Sequence, residues 1–168
     1  MLIKLSRLGV IEWCKTFGFG RADIAFSIVQ KPDSSVLIGG ITSNVDIFLL
    51  NISSDGDLIW AKSIGESEVD LCTSIILTND NGFIISGYTN NYGSVNGDII
   101  VCKFDEYDSL NWAIRIDILN DDVCNDIIQT EDAGYILVGY STSIGDSDKD
   151  LIVLKLGFSG LCEWCKIM

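Results

Sequence analysis

The sequence predicts an all-β fold of repeated four-stranded antiparallel units with no helices. Three observations carry this. Four tryptophans recur at a nearly fixed spacing, short apolar runs alternate with turn residues, and no stretch shows a sustained helical period with caps. Trp13, Trp60, Trp112 and Trp164 are separated by 47, 52 and 52 residues. Each sits in a similar phrase: Ile11-Glu12-Trp13-Cys14-Lys15, Leu58-Ile59-Trp60-Ala61-Lys62, Leu110-Asn111-Trp112-Ala113-Ile114 and Cys162-Glu163-Trp164-Cys165-Lys166. A period of this size marks a solenoid, a propeller or an array.

The elements of one unit follow in order. A first strand opens at Asp23, Asp70 or Asp122. A turn then carries Asp33, Asp80 or Asp132, and the second strand carries Gly40, Gly87 or Gly139 seven residues later. The stretches Asn79-Asp80-Asn81-Gly82 and Glu131-Asp132-Ala133-Gly134 read as tight turns in which glycine supplies a positive φ. A third strand opens at Asp46, Asp98 or Asp150, and the fourth carries the tryptophan 14 residues after that aspartate. The third-strand aspartate follows the second-strand glycine by six positions in the first complete unit and by 11 in the other two. The extra residues, Asn90 to Gly97 and Ser143 to Lys149, are polar loops expected on one face, where binding tends to evolve.

Met1 falls inside the third strand of a unit whose first two strands are absent, so a single repeat domain over 1–168 divides into four parts. These are a half unit (1–18, strands three and four) and three full ones at 19–65, 66–117 and 118–168. Four-stranded units of roughly 40–50 residues have the size of β-propeller blades, giving about three and a half blades. Closed propellers typically have four to eight blades, so one copy is expected to form an open arc. Its unpaired edges invite a homo-oligomer, most simply a dimer with about seven blades' worth of strands. The alternative is a fragment of a longer multi-blade protein.

Composition sets outer bounds. The chain is 48% hydrophobic with a single proline, which fits a packed core rather than disorder. A net charge of −13 disfavours nucleic acid as a partner. No apolar run is long enough to suggest a membrane span, and the first residues lack the pattern of a signal peptide. With no histidine, His-based triads and His-ligated metals are excluded.

The repeat resembles known families. Leu49-Leu50-Asn51-Ile52-Ser53-Ser54-Asp55-Gly56-Asp57-Leu58-Ile59-Trp60 is similar to the blades of quinoprotein-dehydrogenase-like propellers. Asp132-Ala133-Gly134-Tyr135-Ile136-Leu137-Val138-Gly139-Tyr140 resembles repeats of uncharacterised microbial cell-surface propellers. The first resemblance implies, as one alternative, a fragment or subunit of an oxidoreductase with a quinone cofactor and calcium at its centre. The second implies an extracellular or cell-surface location, whereas free thiols fit a reducing compartment; both stay open.

Candidate sites are few. Cys162-Glu163-Trp164-Cys165 has the spacing of redox and zinc sites. Strict alternation along a strand would put its two thiols on opposite faces, with Cys162 on the tryptophan's side. Cys72 and Cys124 match Ala25, and Cys102 matches Leu50 and Leu154, so all six cysteines read as small hydrophobes. Asp146, Asp148 and Asp150 form a weak candidate calcium loop, lacking the glycine and the downstream glutamate of an EF-type loop. Ser53-Ser54-Asp55-Gly56-Asp57 only approaches the Asp-box of sialidase-like propellers. The aspartates Asp23, Asp70, Asp122, Asp46, Asp98 and Asp150 are expected to cap turns, the alternative being an inward-facing acidic ring. No catalytic residue and no cofactor is expected. The sequence therefore predicts a non-catalytic binding or scaffold module with a protein or glycan ligand, the other alternative being a self-assembling structural repeat.

Overall fold

The computed structural model describes residues 1–18, 20, 22–65, 68–90, 96–118, 120–142 and 149–168. Among them the chain is all β, with 14 strands and no helix. A two-stranded sheet comes first, β1 (Leu2–Leu5) and β2 (Ile11–Lys15). Three antiparallel sheets follow in chain order, each with its strands side by side. Blade 1 is β3 (Ile24–Gln30), β4 (Val36–Ile41), β5 (Ile47–Ile52) and β6 (Leu58–Ile64). Blade 2 is β7 (Asp70–Leu77), β8 (Phe83–Thr89), β9 (Asp98–Phe104) and β10 (Leu110–Ile116). Blade 3 is β11 (Asp122–Gln129), β12 (Tyr135–Ser141), β13 (Asp150–Leu156) and β14 (Cys162–Ile167).

The blades stack through their inner strands. The first strand of each later blade packs on the first, second and third strands of the one before, β7 on β3, β4 and β5 and β11 on β7, β8 and β9. One apolar core between blades 1 and 2 gathers Leu37, Ile47, Leu49, Cys72, Ile75 and Phe83. Another between blades 2 and 3 gathers Ile84, Ile99, Val101, Cys124 and Ile127. Polar side chains cross the same seams: Thr73 donates to the Cys124 carbonyl (2.6 Å) and Ser74 to Asp126 (2.7 Å). The arrangement is a propeller-type arc that does not close.

Two backbone details depart from simple alternation. Each first strand bulges after the residue paired with the repeat glycine: Ala25 with Gly40, Cys72 with Gly87, Cys124 with Gly139. A Cβ on those glycines would lie 1.9, 1.9 and 1.8 Å from the carbonyl oxygens of Ile24, Leu71 and Val123, so only glycine fits. Each fourth strand bulges as well, one residue before its tryptophan. The expected turn glycines need correction too. Positive φ falls on Ser34, Asn81 and Ala133 instead. Gly82 and Gly134 are required because a Cβ there would meet the carbonyl oxygens of Phe104 (2.1 Å) and Leu156 (2.5 Å).

Candidate functional site: the end where the odd strands begin

In an antiparallel blade the starts of strands one and three and the ends of strands two and four lie at one end. That end collects the repeat aspartates, the strand two–three loops and the links between blades. Asp70, Asp98 and Asp122 are buried there. Asp23 accepts from the Ser43 amide (3.1 Å) and Asp122 from the Ile118 amide (2.7 Å). At the junction of blades 2 and 3, carboxylate oxygens of Asp98, Asp117 and Asp122 lie within 4.8 Å of one another. Arg115 supplies positive charge, 3.1 Å from Asp98 and 3.8 Å from Asp117. Burial pushes the Asp98 and Asp122 carboxyls above their usual range, and neighbouring carboxylates add to the shift. Asp46 and Asp70 both border Gly65 at the preceding junction. Of the candidate calcium loop, Asp146 and Asp148 lie outside the described residues, and Asp150 opens β13 half-buried.

Beside the buried acids an open cleft of about 360 Å³ lies between blades 2 and 3, lined by Leu71, Tyr88, Asp121, Val123, Tyr140, Thr142 and Lys149. Its tyrosines are repeat equivalents, each one residue after a repeat glycine. Burial pushes the Tyr88 hydroxyl up in pKa, with Asp121, Tyr140 and Asp98 adding to it. The Lys149 ammonium sits 3.8 Å from the Tyr140 ring centroid, within cation–π range. Hydrogen bonds brace the wall: Gly97 donates to Asp121 (2.9 Å), Asn96 to Asn120 (3.1 Å) and Asn120 to the Thr142 carbonyl (3.2 Å). Of the two extra loops, Asn90, Asn96, Gly97 and Lys149 are described, and they stand at this end. The two polar loops mark this end in the sequence, whereas the tyrosines do not stand out there. Their recurrence after Gly87 and Gly139, with Ile41 in blade 1, was the available signal.

The tryptophans lie elsewhere, on the outer strands. The Trp13 indole N–H donates to the Ser54 carbonyl (3.1 Å) and that of Trp60 to Asp108 (2.8 Å). Trp112 lies against Gly160. Each of these three therefore packs on the strand three–four turn of the following blade, and Trp164, on the last blade, is exposed. The bulges correct the reading of the cysteines. Cys162 aligns with Leu156 and Cys165 with Leu154, on one face, while Trp164 aligns with Lys155 on the other. The bulge absorbs a residue, so the two thiols share a side after all. Cys14, Cys162 and Cys165 are exposed free thiols, whereas Cys72, Cys102 and Cys124 are buried.

No protein-family model and no curated protein matches the sequence. A solved structure shares its fold. The chain is similar to the crystal structure of a eukaryotic initiation factor, with a TM-score of 0.56 and 10% identity over 95% of this chain. It spans only 35% of that protein's length, and the likeness is one of fold alone. A protein of unknown function from Bacteroides caccae aligns with a TM-score of 0.40 and 9% identity, over 98% of this chain and 73% of that one. The class is a β-sheet repeat fold of propeller-type blades.

Proposed function

We propose that the protein is a non-catalytic binding or scaffold module whose ligand sits in the cleft between blades 2 and 3. The observation that carries this is the pair of repeat-equivalent tyrosines, Tyr88 and Tyr140, flanked by Asp121, Thr142 and Lys149 at the loop-bearing end. Aromatic faces beside a few fixed polar groups make a concave recognition surface. That chemistry suits a glycan, whose apolar ring faces stack on tyrosine while its hydroxyls reach carboxylate and ammonium. A glycan array followed by titration calorimetry tests it. Tyr88→Ala and Tyr140→Ala should each weaken binding at least about tenfold, as expected when a contact worth roughly 1.4 kcal/mol is lost. Binding unmoved by both substitutions, or dye-coupled alcohol oxidation with pyrroloquinoline quinone and calcium, would overturn the reading.

Self-association belongs to the same proposal. The far face of blade 3 exposes Leu151 and Val138, and the Leu151 equivalents Ile47 and Ile99 are buried under a following blade. A second copy packed on this face, blade 3 against blade 3, would cover them. Light scattering at micromolar concentration should give a mass above the 18.4 kDa of one chain, and a stable monomer would refute it.

A further inference from the structure

The chain contains its own control for what belongs against blade 1. The register identifies β1 and β2 as strands three and four of a blade, because Lys4 pairs with Trp13 as Lys103 does with Trp112 and Lys155 with Trp164. In the three complete blades the third strand is paired on both edges, whereas among the described residues β1 pairs with β2 alone. The consequence shows on β3. Ile28 is 55% exposed, while the residues at the same repeat position, Ile75 and Ile127, are 3% and 1% exposed. Ala25 is likewise exposed where Cys72 and Cys124 are buried. What buries Ile75 and Ile127 is the inner part of the preceding blade, its first and second strands above all. An open space of about 240 Å³ borders Leu2, Ala25, Ile28 and Phe48, and another of about 680 Å³ borders Leu2, Lys4, Ile28 and Ser34.

The seams that are filled state the chemistry that fits this slot. Facing the next blade, the second strand carries a small residue, Gly39 or Ser86. A Cβ on Gly39 would come within 2.7 Å of Ile75 and 2.8 Å of Cys72. The turn between the first two strands carries an acid. Lys103 and Lys155 are buried on the third strands and bond Asp80 (2.8 Å) and Asp132 (3.0 Å) in that turn of their own blade. Lys4 holds the equivalent place and bonds Glu12 (3.1 Å) and the Ser54 carbonyl (3.1 Å).

We infer that the slot between β1 and β3 binds a two-stranded antiparallel β-hairpin of this repeat's own strand-one and strand-two type. The hairpin's second strand pairs with the free edge of β1, its apolar face covers Ala25 and Ile28, and its turn acid meets Lys4. Strand addition gives affinity through the backbone, and the alternating side chains select the partner. The inference is independent of the tyrosine cleft.

The test fuses a second copy of residues 69–90 (β7 and β8, with Asp80 and Ser86) ahead of Met1 through a short Gly-Ser linker, with amide hydrogen exchange as the readout. Exchange of the Leu2–Leu5 amides that face away from β2 should slow at least tenfold relative to the unfused protein. The slowing should vanish when Ile84 of the appended copy is changed to Asp, and weaken with Lys4→Glu. Unchanged exchange in the fusion overturns the inference, as does protection already present in the unfused monomer at the β1 amides that face away from β2. Protection that grows with concentration in the unfused protein would put a second copy in the slot and overturn the hairpin. Self-association through blade 3 alone leaves β1 exchanging and is thereby told apart.

Discussion

Trp60 and Trp164 occupy the same repeat position with different surroundings. Trp60 packs on the next blade and bonds Asp108, whereas Trp164, on the last of the described blades, is 40% exposed. Trp60→Ala should cost about 3 kcal/mol, at the low end for loss of a packed aromatic because the ring is half-buried. Trp164→Ala should cost less than about 1 kcal/mol, as surface substitutions do. Urea denaturation of both variants checks the difference. The thiols divide in the same way. Burial raises the pKa of Cys102 to about 12 and of Cys124 to about 11, and pushes Cys72 up further. A maleimide probe at neutral pH should modify Cys14, Cys162 and Cys165 rapidly and the other three only on unfolding, as peptide mass mapping would show. The tryptophan period was legible because a large ring recurs in a fixed phrase. The shared face of Cys162 and Cys165 was not, because a bulge costs one residue of register and leaves no mark in the alternation.

At the scale of the element, the turn acids and the buried lysines act together, and this shows in their response to acid. Hydrogen bonds from Thr130 and Lys155 and the Gly134 amide hold Asp132 at about 2, below its usual 3.8. Burial opposes the shift at Asp80, but Lys103, Thr78 and the Gly82 amide outweigh it. A lowered native pKa means that the unfolded state binds the proton first. Its stabilising contribution is therefore complete above 3.8 and is lost as pH falls towards about 2. Asp132→Asn should flatten the fall of the urea midpoint across that interval. Asp122 has the opposite sign: its raised native pKa makes the native state bind the proton more tightly, so its contribution declines as pH rises above 3.8. Asp122→Asn should remove that decline. The strands and their turns were legible from apolar runs broken by Asp, Asn and Gly. The reason for Gly82 and Gly134 was not, since a carbonyl approaching from the neighbouring strand becomes visible only once the sheet is built.

At the scale of the whole molecule, the account rests on blades stacked in chain order with the leading face of the first left open. The blade count and the end that carries the loops were readable from the period and from the two longer strand two–three connections. The tyrosine cleft and the slot beside β1 were not, because both depend on which residues of one blade face the next. Ile28, Ile75 and Ile127 report on this arrangement directly, since they share one repeat position and differ in what covers them. The decisive measurement places a cysteine at each in turn and follows its labelling in the dilute native protein, with mass mapping to separate it from the natural thiols. The account predicts rapid labelling at Ile28→Cys and protection by at least about a hundredfold at Ile75→Cys and Ile127→Cys, since reaction there requires local opening worth a few kcal/mol. Equal rates at all three positions, or protection at Ile28→Cys, would contradict it.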